Sequence, residues 1–196
     1  MARAKRKSRA RRNSRASQRS RSSRMAMDAI SLLKADHREV EGWFAQFEKT
    51  RSDDRKLELA GKICAALKMH TTIEEEIFYP AFLEATEETD IHHEAEVEHN
   101  GAKKLIAEIE ASGPQDEYYD AKVTVLSEMI KHHVKEEEQR DGMFAKARQS
   151  NMDLQALGEQ LANRKQELKA QGQGPAASGR RQARGVMGRM TEAMRH

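Results

Sequence analysis

Residues 70–80 read HTTIEEEIFYP, and two polar groups fall there where a helix would be expected to be apolar. Ile77 and Phe78 belong on a buried side. Steps of three and four back from Ile77 reach Glu74, Ile73 and His70. A soluble helix keeps such groups wet, because burying a charge without a partner is costly. Either the period is misread, or the interior of the protein has a use for an imidazole and a carboxylate.

The same anomaly recurs along the chain. One apolar stripe runs Ile30, Leu33, His37, Val40, Phe44, Phe47, with Asp28 placed to cap it. The second runs Ile63, Leu67, His70, Glu74, Ile77, Ala81. The third runs His92, Ala95, His99, Ala102, Ile106, Ile109, and the fourth Tyr119, Val123, Leu126, Ile130, His133, Glu137. Every step is three or four residues, as one helix face requires. Each stripe is interrupted by histidine.

Composition agrees with an all-α protein: 34% of the 196 residues are charged and only 5% aromatic. The single cysteine, Cys64, excludes an internal disulfide framework and suits a reducing, cytoplasmic setting. No apolar run approaches the roughly 18–20 residues of a membrane span. The net charge of +3 hides an asymmetry. Residues 1–24, MARAKRKSRARRNSRASQRSRSSR, hold eleven Lys and Arg and no acid, and residues 171–196 hold five Arg and one Glu. Taking +11 and +4 from +3 leaves the body at −12. The first 24 residues lack the apolar groups to fold alone. Their twin arginines precede no apolar segment, which argues against a secretory signal. Without an amphipathic pattern, a plain basic arm is preferred to a transit peptide.

Breaks at TRSDDR (50–55), EETD (87–90) and SGPQD (112–116) separate the four stripes. Such short connections make consecutive helices antiparallel neighbours. The expected fold is an up-down antiparallel four-helix bundle with an extra C-terminal helix and disordered basic termini. Its parts are a basic arm over 1–26, the bundle over 27–148, an accessory helix over 149–170 and a flexible basic tail over 171–196. Gly142 in RDG is expected to cap the fourth helix at its C-terminal end, and Pro80 to bend or end the second. The fifth segment, Leu154, Leu157, Leu161 and Leu168, is expected outside the bundle or loosely attached. Counted from their turns, His37 with His70 and His99 with His133 stand at similar heights. At the turn near 89 the match is poorer: His70 lies 19 residues before it and His99 only 10 after.

Residues i and i+4 leave a helix on one face, so HxxxE lets imidazole and carboxylate reach one centre. Imidazoles supply neutral nitrogen donors, and a carboxylate can bridge two ions. Such a mixed set suits iron first, with manganese or zinc behind it. A lone inward histidine is more often a hydrogen-bonded core residue. Four in register, two with a glutamate at i+4, reverse that balance. His132 with Glu136 forms a rival pair, but the stripe through Val123 and Tyr119 favours His133 with Glu137. His99 is favoured over His92 and His93 at the helix start. Glu75, Glu76, Glu136 and Glu138 are read as a solvated face, so Glu75→Ala is expected to leave a site untouched. Trp43, Phe44, Phe47, Phe78 and Phe82 are read as core.

DAISLLKADHREVEGWF, HTTIEEEIFYP, EHNGAKKLIAEI and HHVKEEEQRDGMF, in that order, resemble the four helices of the hemerythrin-like HHE cation-binding domains over residues 27–148. The resemblance implies an up-down bundle around a non-haem centre of two iron ions. Its motifs carry over His37, His70, Glu74, His99, His133 and Glu137 as metal ligands. Oxygen-carrying members have HxxxH on the third helix, whereas here Lys103 follows His99 by four residues. That implies fewer histidines and more open positions. QRDGMFA resembles a small insertion before the family's FP, with Ala145 for proline.

The function expected from this is binding or sensing of dioxygen, peroxide or nitric oxide, or handling of iron. No acid, base or nucleophile stands out beside the ligands, so a binding protein is expected rather than an enzyme. The rival is a metal-free helical interaction protein that binds nucleic acid through residues 1–24, whose cations would contact phosphates.

Overall fold

The computed structural model describes residues 27–175, which form helices connected by short loops. The arm expected over 1–26 lies outside the described residues, as does the tail beyond residue 175. In chain order the helices are α1 (Ala29–Lys49), α2 (Asp53–Ile73), a π-helical turn (Glu74–Phe78), α3 (Tyr79–Thr86), α4 (Thr89–Ala111), α5 (Tyr119–Glu138), α6 (Met143–Gln149) and α7 (Leu154–Ala170). Side-chain caps start three of them. Asp28 accepts the Ser31 N–H at 2.8 Å, Ser52 the Arg55 N–H at 3.4 Å, and Asp153 the Ala156 N–H at 3.0 Å, each satisfying a donor that the first turn leaves open.

The bundle consists of α1, α2, α4 and α5. α1 packs on α2 and α5, and α4 packs on the same two, which closes a square. Its interior is two apolar cores. One gathers Ile30, Leu33, Ile73, Phe78, Phe82 and residues of α6 and α7. The other gathers Val40, Phe44, Leu59, Ile63, Ile106 and Leu126. On α1, α2 and α4 the histidine falls between residues of these two cores, and on α5 His133 follows the last residue of the second, so the polar groups form a layer across the middle.

The second stripe holds only as far as Glu74. Beyond it Ile77 and Ala81 are half-exposed, and Phe78 and Phe82 take the interior. The π-helical turn is the cause. The Tyr79 N–H reaches back five residues to the Glu74 carbonyl, so each later residue slips one position round the axis. Pro80 accounts for the turn: it offers no N–H, and its ring would crowd the carbonyl four residues earlier. The chain therefore neither ends nor simply bends at Pro80. It continues to Thr86, where Glu87 takes a left-handed conformation (φ 58°).

Two other expectations are corrected. Gly142 is not the C-terminal cap of the fourth helix: that residue is Gln139, and Gly142 precedes α6 in an extended conformation. What requires glycine is closeness, since a Cβ at 142 would stand 2.2 Å from the Glu136 carbonyl oxygen. The 139–142 loop thereby folds down onto the end of α5. Nor is α7 loosely attached. Leu157, Leu161 and Leu168 are buried in the first core, and Gly158 lets α7 approach the backbone of Met27 and Asp28.

Candidate metal centre

His37 comes from α1, His70 from α2, Glu74 from the π-helical turn, His99 from α4, and His133 with Glu137 from α5. The structure brings all six together, and none is more than 5% exposed. Their inner atoms form a closed ring. His37 Nε2 lies 3.0 Å from His70 Nε2, which lies 3.2 Å from Glu74 Oε2. Glu74 Oε2 is 3.5 Å from His99 Nε2, and that nitrogen is 3.3 Å from His133 Nε2. Glu137 Oε2 closes the circuit at 3.7 Å from His133 and 3.4 Å from His37.

Two overlapping sets of donors arise. His37, His70, Glu74 and Glu137 place ligand atoms within 4.8 Å of one another, and so do Glu74, His99 and His133. Glu74 is common to both. This accounts for the poor level match between His70 and His99, which lie in different halves. His99 stands opposite the interval between Glu74 and Tyr79. His132, by contrast, is exposed and 3.3 Å from Glu98 Oε1.

Each imidazole is held from outside by a carboxylate at Nδ1. His37 pairs with Glu138 at 2.8 Å, His70 with Asp36 at 3.4 Å, His99 with Glu75 at 2.9 Å and His133 with Glu98 at 2.7 Å. Donation from Nδ1–H turns the Nε2 lone pair inward and raises its basicity, as ligating histidines require. The four acids close a second circuit, because each follows or precedes an inner residue of one helix and supports the histidine of the next. Cations hold three of them in turn: Lys165 on Asp36, Arg38 on Glu138 and Lys103 on Glu75. Lys103, four residues after His99, thus acts on the site through Glu75.

Glu75 and Glu138 therefore do not belong to a merely solvated face, and the expectation of an indifferent Glu75 is corrected. We expect Glu75→Ala to weaken metal binding by roughly 10–100-fold, the usual effect of losing such a partner. Glu76, exposed and paired with Arg164, should tolerate the same change. Chelator competition on both variants measures the difference.

Tyr79 also reaches the site unforeseen. Its hydroxyl donates to Glu137 Oε1 at 3.3 Å and lies 3.2 Å from His99 Nε2. Five residues past Glu74 it would face away on an α-helix, and the π-helical turn brings it inward. Phe144 of α6 stacks on His37 with ring centroids 5.9 Å apart.

Without metal the cluster stores protons. Burial alone would lower the His70 pKa, but Glu74 and Asp36 outweigh it and raise it to about 10. Burial likewise opposes His133, which Glu137 and Glu98 raise to about 9. Their neighbours move the other way. Burial and the charge on His70 push His37 down to about 4, and burial together with His133 lowers His99. Each short Nε2–Nε2 contact thus joins one imidazolium to one neutral ring. Between the glutamates, burial and the charge of Glu74 raise Glu137, while the imidazoles lower Glu74 despite its burial. Neither oxygen of Glu74 accepts a hydrogen bond, nor does Oε2 of Glu137. Buried carboxylate oxygens seldom lack partners. Glu74 Oε2 and Glu137 Oε2 face imidazole nitrogens across a space that cations would satisfy.

Residues 28–146 match the family described as the hemerythrin HHE cation binding domain. The chain is similar in structure to a hemerythrin HHE cation binding domain-containing protein from Mycobacterium kansasii, with a TM-score of 0.64 and 23% identity over 79% of this chain and 98% of that one. At that identity the likeness speaks for the fold. A DNA nickase from Nostoc sp. (strain PCC 7120) is 27% identical over 112 residues, which are 57% of this chain but 32% of that protein. This chain therefore spans about a third of that relative.

Proposed function

Because the chain belongs to the hemerythrin HHE cation binding domain family, we propose that its six inward side chains hold two non-haem iron ions. The observation that carries this reading is the closed ring of donors, whose two glutamates carry three buried oxygens that accept no hydrogen bond. Mixed nitrogen and oxygen donors favour iron. Zinc prefers a closed tetrahedral set and manganese a more oxygen-rich one. Thiolate plays no part, since Cys64 is packed among the apolar residues of the second core and burial holds its thiol protonated.

Held by these six side chains, an iron pair would supply redox chemistry and a place for dioxygen, peroxide or nitric oxide to bind. The protein fixes the four rings through their Nδ1 partners and offers the Tyr79 hydroxyl as a proton donor at the edge of the ring. It also limits what can enter. A cavity of about 20 Å³ lies against His37, His70, His99 and His133 and is lined also by Val40, Leu67, Ile130 and Val134. That is room for one water-sized molecule, which supports binding or sensing of a small ligand, or handling of iron, over turnover of a bulky substrate. Among the described residues no helix is long and apolar enough to cross a membrane. A cytoplasmic setting is proposed from the single cysteine, which suits a reducing compartment.

The oxidised, iron-loaded chain is expected to absorb in the near ultraviolet and to change that absorption when azide is added. A spectrum indifferent to azide with iron bound would contradict an open position.

The likeness to a DNA nickase favours one alternative, a metal-free helical protein that meets nucleic acid through residues 1–24. Full-length protein and a chain beginning at Met25 should then differ on duplex DNA, with salt weakening the difference.

A further inference from the structure

The ring is approached by two crevices of opposite character. Between α1 and α5 a crevice of about 250 Å³ reaches His37 past Arg38, Lys131 and Lys135. Its two acids, Glu41 and Glu138, are both paired with Arg38. Between α4 and α5 a narrower one, about 50 Å³, reaches His133 and Glu137. Its lining holds Glu94, Glu98, Glu136 and Asp141 besides Glu137, and no lysine or arginine. Ile91, Ala95 and Met143 form its apolar wall.

We propose that the α4–α5 crevice is the port through which divalent cations enter the cluster. The proposal rests on the metal reading given above and adds the route. Three observations support it. First, the acids are graded in depth: Glu94 and Asp141 are exposed, Glu98 and Glu136 half-buried, and Glu137 buried. A cation is thus handed inward without losing carboxylate contact. Second, the deepest acid, Glu137, is 2% exposed and its Oε2 accepts no hydrogen bond, so the path ends on a carboxyl group of the ring that has an unsatisfied oxygen. Third, the competing crevice presents cations at its mouth, which repel a metal ion. A charged cleft with low-dielectric walls concentrates ions of opposite sign and raises their rate of arrival by tenfold or more. The close approach allowed by Gly142 brings Asp141 to the mouth. In the run Glu136–Glu137–Glu138 the three acids then divide: Glu136 lines the port, Glu137 enters the ring and Glu138 stands behind His37.

Rapid mixing of the metal-free full chain with cobalt(II), followed by its visible absorption, tests the route. Glu94→Gln, Glu136→Gln and Asp141→Asn are combined in one variant. A control carries Glu39→Gln, Glu108→Gln and Glu128→Gln, three exposed acids outside the crevice. The port variant should take up cobalt about tenfold more slowly than the unaltered chain, with a weaker dependence on salt. The control should slow less than about twofold, since it shares only the change in net charge. All three should reach the same final cobalt content. Equal rates in port variant and control would overturn the port, as would a normal rate with reduced final content, which would make the acids ligands. An unaltered chain that took up no cobalt would remove the metal reading itself, a result distinguishable from equal rates.

Discussion

Glu74→Ala is expected to empty both halves of the cluster at once. Glu74 is the one side chain common to the two sets of donors, lying 3.2 Å from His70 Nε2 and 3.5 Å from His99 Nε2. Removing any single histidine takes a donor from one half only. Metal content should therefore fall from near two ions per chain to less than one in Glu74→Ala, and less far in His70→Ala. The stability supplied by metal should fall with it. A site a thousandfold above its dissociation constant contributes about 4 kcal/mol. For two such sites in a chain of this size, metal should raise the melting temperature by more than about 15 °C. Glu74→Ala should abolish that rise. The metal-free variant should also be weaker by roughly 3–5 kcal/mol, because the buried charge of His70 loses the nearer of its two carboxylates. Atomic emission and thermal unfolding on both forms test this, and a variant still holding two ions would contradict it.

The stability gap between the metal-loaded and metal-free chain should widen as pH rises from about 6.5 to about 9. In the metal-free chain His70 and His133 keep protons up to about 10 and about 9, against 6.5 when unfolded. Between those values the folded state holds protons that the unfolded state has released. The stability they contribute is complete below 6.5 and is lost as pH climbs through the folded values. Glu137, raised by burial and by Glu74, acts in the same sense from the carboxylate range upward. His37, His99 and Glu74 are shifted downward, so their opposing effect is confined below 6.5. Each group contributes a slope of about 1.4 kcal/mol per pH unit within its window. The loaded chain does not share the loss, because metal binding requires these donors without their protons. Near pH 7, loading should expel the protons of both His70 and His133, visible with an indicator dye in weak buffer. Metal uptake without proton release would contradict the assignment.

Helical spacing in the sequence was enough to turn His37, His70, Glu74, His99, His133 and Glu137 inward, because steps of three and four hold wherever the backbone stays α-helical. It failed first at Glu74. There Pro80 forces a π-helical turn, the apolar face moves from Ile77 and Ala81 to Phe78 and Phe82, and Tyr79 enters the site. A period counted from either end cannot register such a slip. The outer carboxylates were hidden for a different reason. Asp36, Glu75, Glu98 and Glu138 lie about 100° round their helices from an inner ligand and so look solvated on their own helix. Each faces a histidine of the neighbouring helix, which is a property of packing. The usable signal was adjacency, an acid directly beside one inner ligand on each bundle helix. Gly142 misled because its need for glycine is a close approach to the Glu136 carbonyl and not a left-handed cap. Lys103, conspicuous as a departure from HxxxH, found its place only when the structure showed it on Glu75.

Anomalous diffraction at the iron edge, from crystals of the chain loaded with iron, tests the central claim most directly. Two peaks are expected inside the ring, one among His37, His70, Glu74 and Glu137 and the other among Glu74, His99 and His133, with Glu74 between them. A single peak, or iron bound elsewhere with the six side chains hydrogen-bonded to one another, would contradict it.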